Sequence, residues 1–344
     1  MRGWSKVSDF TVVFEAGATH QGKESCKEIC RVIAEARTTQ HVAVKFQSVF
    51  ADDLVAEEHD TLVSFDTATG KKKESVYQAL KRRELSWEDW KEVCDFAHSL
   101  GLLFYSTPSS IEGVKWLIQM GADGIKIAKG DMDHLVLLHA VAMAVGKRQV
   151  RVLLDGREMI SEVYNALEVM GMHGVKDIAV IHCPSGYPAS VAGVHLSALS
   201  TLHAAFPDIP IGYADHSVGT HNCFVAIGLG ASIIEKTITD NRKREHAEHY
   251  MSIEYADVGK FLRQISEARE AMGNPAIIFS NRVDPDSRRG IYALRNIKQG
   301  DDITLRNAWF RRPQGDCPAH KWAKMGKAPR DFVPGESLKD AVTG

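Results

Sequence analysis

Short, predominantly apolar runs alternate along this chain with longer stretches in which apolar residues recur every three or four positions. The runs at 11–14, 42–46, 102–105, 124–127, 150–154, 178–182, 211–213 and 232–235 have the character of strands buried on both faces. Between them, 25–36 places Cys26, Ile29, Cys30 and Ile33 on one helical face. The stretch 86–100 opens on Ser86-Trp-Glu-Asp89, a capping signal, and closes at Gly101. The stretches 135–144, 160–170, 196–206, 223–229 and 258–272 carry the same period, with Gly146, Gly171 and Gly273 as stops for three of them. Eight strand–helix units in order predict an α/β fold, a (β/α)8 TIM barrel over residues 1–273. No GxGxxG turn follows any strand, so a doubly wound dinucleotide-binding sheet lacks its main signal.

Two stretches break the rhythm. From about 50 to 83 the chain is polar and charged, with Lys71-Lys-Lys73 and Lys81-Arg-Arg83. It reads as a solvated excursion after the second strand, with a lid over the site as the alternative. After Gly273, residues 274–287 contain Pro275 and Pro285 and read as a linker. Residues 288–344, with strand-like pieces at 290–294 and 302–304 and frequent Pro and Gly, read as a small, mostly-β second domain with a thin core.

Composition narrows the class. A chain of 344 residues has room for one large domain and one small one. Its 42 basic and 44 acidic residues leave a net charge of −2, without the basic footprint of a nucleic-acid binder. No apolar run approaches the roughly 20 residues of a membrane span, and the first residues lack the apolar core of a leader. The 6 cysteines are dispersed, with no CxxC pair, which suits reduced core thiols and a cytoplasmic location.

The C-terminal ends of barrel strands form the mouth where such folds carry their chemistry. Those positions hold Glu15 to Gly22, Lys45-Phe-Gln47, Ser106-Thr-Pro108, Lys126 to Asp131 with Lys129 between them, and Asp155-Gly156. They continue with His182-Cys-Pro-Ser-Gly-Tyr-Pro188, Asp215-His-Ser217 and Glu235-Lys-Thr237. One such lysine alone reads as half of a salt bridge, and one histidine as a hydrogen-bonding residue. Lysines at several strand ends, with hydroxyls beside them, make a pocket for an anionic ligand, phosphate and carboxylate together. Glu15, Asp131 and Glu235 supply acid–base capacity, and His182 and His216 have the chemistry of divalent-metal ligands.

The strings EAGATHQG, VKFQ, RRELSWEDW, YSTPSS, IKIAKGD, HCPSGYP, IGYADHS and GASIIEKT, then RRGIY and DITLRNAWFRRPQGD, occur in this order from residue 15 to about 327. Together they resemble the sialic acid synthase family, which makes nonulosonic acids and joins a TIM barrel to an antifreeze-like (SAF) domain. The resemblance implies a transferase that condenses phosphoenolpyruvate with the aldehyde carbon of an open-chain N-acylated hexosamine, releasing phosphate. Lys45, Thr107 and Lys126, with Lys129 and Ser185, would hold phosphoenolpyruvate. Gln47, Tyr187, Asp215 and Glu248 would contact the sugar. Glu15, Asp131 and Glu235 would manage water and protons, and His216 would ligate Mn²⁺ or Mg²⁺. The family's domain-swapped homodimer would bring Arg311 or Arg312 to the partner's sugar site.

Several positions depart from the family pattern. Thr237 stands where the family has its second metal-binding histidine, leaving His182, His246 and His249 as substitutes. Lys129 and Ala214 replace serines, Asp155 stands in a string that otherwise supplies a hydroxyl, and Asp131 and Glu248 exchange carboxylate lengths. Either Lys129 takes over the phosphate contacts and the condensation survives, or the barrel is a metal-independent aldolase or lyase, or a non-catalytic binder.

Overall fold

The structure, a computed structural model, describes residues 10–37, 41–156, 159–273 and 286–342. The chain begins with β1 (Thr11–Glu15), α1 (Lys23–Ala36), β2 (Val42–Ser48), α2 (Ala51–Leu54), β3 (Leu62–Thr67), β4 (Gly70–Ser75) and α3 (Val76–Lys81). It continues through α4 (Trp87–Ser99), β5 (Leu103–Pro108), α5 (Ile111–Met120), β6 (Gly124–Ile127), α6 (Leu135–Val145), β7 (Arg151–Asp155) and α7 (Ile160–Met172). The last barrel elements are β8 (Ile178–His182), α8 (Ala198–Ala205), β9 (Ile211–Asp215), α9 (His221–Gly228), β10 (Ile233–Thr239), the short β11 (Ile253–Glu254) and α10 (Val258–Met272). Strands β1, β2, β5, β6, β7, β8, β9 and β10 are parallel neighbours in that order, and β10 pairs with β1 to close a (β/α)8 barrel.

Alternation along each strand builds two cores. One parity faces the lumen, where Val13, Ala43, Tyr105, Leu153, Ala179, Ile181, Ala214 and Ile233 pack together. The other parity, including Val12, Phe14, Val44, Phe104, Val152 and Val180, meets the buried stripes of the surrounding helices. Helix α1 buries the expected Cys26, Ile29, Cys30 and Ile33. Helix α4 begins at the expected cap, the Ser86 hydroxyl accepting from the Asp89 amide at 3.1 Å. Two details differ from the periodicity reading. Helix α7 runs through Gly171 to Met172, and it is Gly174, at φ 79°, that takes the left-handed conformation beyond it. Helix α5, left unassigned by the apolar spacing, is capped by Ser110, which accepts from the Gly113 amide at 3.2 Å.

The polar stretch after β2 is not a solvated excursion. Strands β3 and β4 form an antiparallel hairpin, and Phe65, Tyr77 and Leu80 are buried within the insertion. The Asp66 amide donates to the Tyr187 carbonyl at 3.0 Å, beyond β8. The Thr69 hydroxyl donates to Glu245 at 2.9 Å, beyond β10, and Lys72 pairs with the same carboxylate. Those anchors make the insertion a wall at the C-terminal end of the barrel.

The chain divides into two compact units, Met1–Gly273 and Asn274–Gly344. Residues 274–285 of the expected linker lie outside the described residues. In the second unit β12 (Gly290–Ala293) pairs antiparallel with β13 (Ala308–Arg311) over a small core that includes Ile291, Ile297, Cys317, Phe332 and Leu338. The strand expected at 302–304 is reduced to a single bridge between Asp302 and Lys327, and the pairing falls to 308–311 instead. All six cysteines are buried thiols. Among the described residues no helix is long and apolar enough to cross a membrane.

Candidate active site

The lumen parity of the strands ends in polar residues at the C-terminal rim. Glu15, Lys45, Gln47, Thr107, Lys126, Asp155, Cys183, His216 and Glu235 line one cavity of about 510 Å³, which Lys129, Asp131, Tyr187 and Glu248 complete from the loops. Gly17 belongs to this floor, because a Cβ there would collide with Gln47 and the Glu15 carboxylate. The Gly17 amide donates to Glu15 Oε1 at 2.7 Å, which orients that carboxylate.

Two lysines and two glutamates form a buried network at the bottom of the cavity. Lys126 Nζ donates to Glu235 Oε1 at 2.8 Å, Lys45 Nζ lies 3.5 Å from the same oxygen, and Lys45 pairs with Glu15. Burial opposes the charge on Glu235, but Lys126 and Lys45 overcome it and hold its carboxyl below the usual range. The same balance falls the other way for Lys45. Burial, reinforced by Lys126 and opposed by Glu235, lowers it to about 8. Burial alone would lower Lys126, but Glu235, with Cys183 and Asp155, outweighs it and the group is shifted upward. Asp131, at the rim, is pushed up by burial.

His216 is a neutral imidazole in this setting, since burial lowers its pKa. Its Nδ1 lies 3.1 Å from the Pro184 carbonyl, which fixes the proton there and leaves Nε2 as the acceptor. Cys183 Sγ lies 3.8 Å from Nε2, and the Tyr187 ring packs against the imidazole with centroids 5.0 Å apart and planes tilted by 36°.

A resident divalent metal does not fit this donor set. Among the described residues no three His, Cys, Asp or Glu side chains converge to hold an ion. Thr237 is buried on the lumen parity beside Glu15, and its hydroxyl is a poor ligand for Mn²⁺ or Zn²⁺. None of the three substitute histidines lines the cavity with His216. His182 faces outward and its Nε2 meets the Val194 carbonyl at 2.8 Å. His246 and His249 line a separate cavity of about 270 Å³ with His20 and Arg244, and His249 Nδ1 meets the Thr239 hydroxyl at 2.7 Å.

Other expected contacts are redirected. Asp215 has the outward parity and lies outside the cavity. It accepts from Lys236 Nζ at 2.8 Å, from the Tyr213 hydroxyl at 2.9 Å and from the Ser217 hydroxyl at 2.6 Å, so its oxygens are committed away from any sugar. Ser185 is exposed and does not line the cavity. Arg311 and Arg312 are exposed on the second unit. Cys183, which lines this cavity, and Arg83, which lines a smaller neighbouring one, were not singled out by the strand-end reading. Strand parity identifies the first, whereas the second depends on how the insertion folds.

A closed parallel barrel with a cavity lined by lysines and carboxylates at its C-terminal face is the architecture in which barrel enzymes carry their sites. Residues 32–276 match the model of the NeuB family. The chain is 32% identical over 306 residues to an uncharacterized protein of Methanocaldococcus jannaschii, covering 88% of this chain and 84% of that one. It is 28% identical over 338 residues to the N,N'-diacetyllegionaminic acid synthase of Campylobacter jejuni, covering 96% and 98%. The N-acetylneuraminic acid synthetase of Leptospira borgpetersenii shares the fold, with a TM-score of 0.68 at 24% identity over 80% of this chain and 88% of that one. The chain belongs to the NeuB family.

Proposed function

We propose that this chain condenses phosphoenolpyruvate with an open-chain N-acylated hexosamine, giving a nonulosonic acid and inorganic phosphate. The supporting observation is the single cavity that gathers Lys45 and Lys126 with Gln47, Tyr187 and Glu248. Lys45 and Lys126, with Thr107 and Lys129 at the rim, neutralise the carboxylate and phosphate of phosphoenolpyruvate. Carbon 3 of that substrate bonds to the aldehyde carbon. Water adds at carbon 2, and the carbon–oxygen bond to phosphate breaks. Asp131, pushed towards its protonated form, supplies the proton that the nascent alkoxide takes, and Glu15 or Glu235 accepts one from the attacking water. Gln47, Tyr187 and Glu248 orient the sugar chain. No step is routed through a metal ion, because the donor set does not fit one.

In this reading the protein is a cytoplasmic homodimer, and its second unit is an antiparallel SAF-type domain. The decisive measurement is phosphate release from phosphoenolpyruvate with a panel of N-acylated hexosamines. Release with one acceptor is expected, and none with any acceptor by folded protein overturns the proposal. The lowered basicity of Lys45 favours one second reading, a lyase that forms an imine with a 2-keto acid. Borohydride trapping with pyruvate separates the two, since only the lyase leaves a covalent mass increment on Lys45.

A further inference from the structure

Helices α6 and α7 pack side by side on the outside of the barrel, and a pair of histidines joins them. His139, within α6, and His173, the residue that ends α7, hold Nδ1 and Nε2 3.0 Å apart with their rings at 86°. Both are half-buried, and neither lines the strand-end cavity. A hydrogen bond between two imidazoles needs one ring to offer a lone pair, so at least one of them is neutral and able to ligate a metal. Among the described residues the outer nitrogens, His139 Nε2 and His173 Nδ1, have no protein partner, so no other polar contact fixes either ring. The separation suits one shared ion. Two imidazole nitrogens at about 2.0–2.1 Å from a metal stand about 2.8–3.4 Å apart when the angle between them is about 90–110°. Rotation about χ2, which is broad for histidine, turns the two lone pairs towards that shared point.

The surroundings select the kind of ion. Among the described residues no third His, Cys, Asp or Glu converges with this pair. His139 lines an apolar groove of about 700 Å³ between α5 and α6, in which Lys115 is the one charged lining residue. Hard ions such as Mg²⁺, Ca²⁺ and Mn²⁺ need oxygen ligands that the groove does not provide. Met143 lines the same groove, four residues after His139 on α6, a spacing that makes side chains neighbours on a helix. It is 66% exposed, so its flexible thioether can turn onto an ion beside the imidazole. Two imidazoles and a thioether form a soft donor set, which suits monovalent copper. We infer that His139, His173 and Met143 form a binding site for Cu(I) that clips α6 to α7, separate from the chemistry at the barrel mouth. An ion held by residues of two helices binds the native chain and not the unfolded one, so it stabilises the fold.

The test titrates the metal-free full chain anaerobically with Cu(I) in competition with bicinchoninate, whose colour reports the ion that the protein leaves behind. Uptake of a single ion and a rise in Tm are expected. His139→Ala and His173→Ala are each expected to weaken uptake by more than about 100-fold, beyond the roughly 10–100-fold lost with an outer-shell partner, and to cancel the rise in Tm. Met143→Leu, which keeps the volume, is expected to weaken uptake less than either histidine variant and to remove the sulfur neighbour from the copper X-ray absorption spectrum. The Tm of each variant without metal shows that it is folded. Cys183 and His216, 3.8 Å apart in the main cavity, offer a rival pair of soft donors, so Cys183→Ser is titrated alongside and is expected to take up the ion as the wild type does. No uptake, uptake that survives both histidine variants, or uptake lost in Cys183→Ser overturns the site. A sulfur neighbour that persists in Met143→Leu overturns the assignment of the third ligand.

Discussion

Lys126 Nζ sits 2.8 Å from Glu235 Oε1 in the barrel lumen, so the charge most able to attract an anion is already neutralised from below. The arrangement keeps two buried lysines compatible with folding when the cavity holds no ligand, because Glu235 Oε1 also lies 3.5 Å from Lys45. Removing that carboxylate leaves the two ammonium groups with only Glu15 between them. Glu235→Gln is therefore expected to cost about 3–5 kcal/mol in urea unfolding, the range for breaking a buried ion pair. Added inorganic phosphate is expected to raise the Tm of the variant more than that of the wild type, since an anion now replaces the missing partner. Unchanged stability would show that the network contributes nothing.

The lowered basicity of Lys45 gives the site a pH dependence with opposite signs for binding and folding. Burial brings this group from an ordinary value of 10.5 to about 8. Binding a phosphate-bearing anion requires the ammonium form, so affinity is expected to fall as pH rises through about 8. Between about 8 and 10.5 the unfolded chain holds the extra proton, so this lysine makes folding stability increase with pH across that window, and its destabilising effect is complete below 8. Calorimetric titration of phosphoenolpyruvate from pH 7 to 10 checks the first trend and unfolding at the same pH values checks the second. Lys45→Met is expected to flatten both. An affinity independent of pH over this range refutes the assignment.

Thr237 separates a site with a resident metal from one without. The Thr237 hydroxyl is buried and has no hydrogen-bond partner among the described residues, on the strand position that registers with Glu15. Exhaustive chelation is expected to leave phosphate release unchanged. Thr237→His is expected to create measurable Mn²⁺ binding by calorimetry, and His216→Ala in that background to abolish it. Loss of activity on chelation of the wild-type chain, restored by Mn²⁺, would refute the metal-free reading.

The barrel was legible in the sequence because each strand is a short apolar run bounded by a helix-period stretch, and closure adds no residue that this pattern does not contain. The rim was legible only in part. Reading every polar residue at a strand end as facing the mouth admitted His182 and Asp215 and passed over Cys183. Alternation along β8 and β9 turns the first two towards the helices and the third into the lumen. Counting parity from Lys126 or Glu235, both inward, would have sorted them. The smaller neighbouring cavity that Arg83 lines was not legible at all. Its walls come from a hairpin whose polar residues are satisfied by loops beyond β8 and β10, and such long-range pairing leaves no local period in the chain.

Asp215 and Lys236 provide the sharpest check on that parity argument. Both are fully buried, and their pair is closed by the Ser217 carbonyl, which accepts from Lys236 at 2.6 Å, and by the Tyr213 hydroxyl. Burial works against the charge on Asp215, but Lys236 and the Ser217 donors outweigh it and hold the carboxyl below its ordinary value. Its contribution to stability is therefore present above the unfolded pKa and lost as pH falls through the folded one. Asp215→Asn is expected to cost about 3–5 kcal/mol because it strands a buried ammonium, and to flatten the acid limb of the stability curve. A sugar-binding aspartate behaves differently: its replacement raises the KM for the acceptor and leaves unfolding almost untouched. Measuring both quantities on one variant decides between the two roles, and a selective KM effect with wild-type stability would return Asp215 to the cavity.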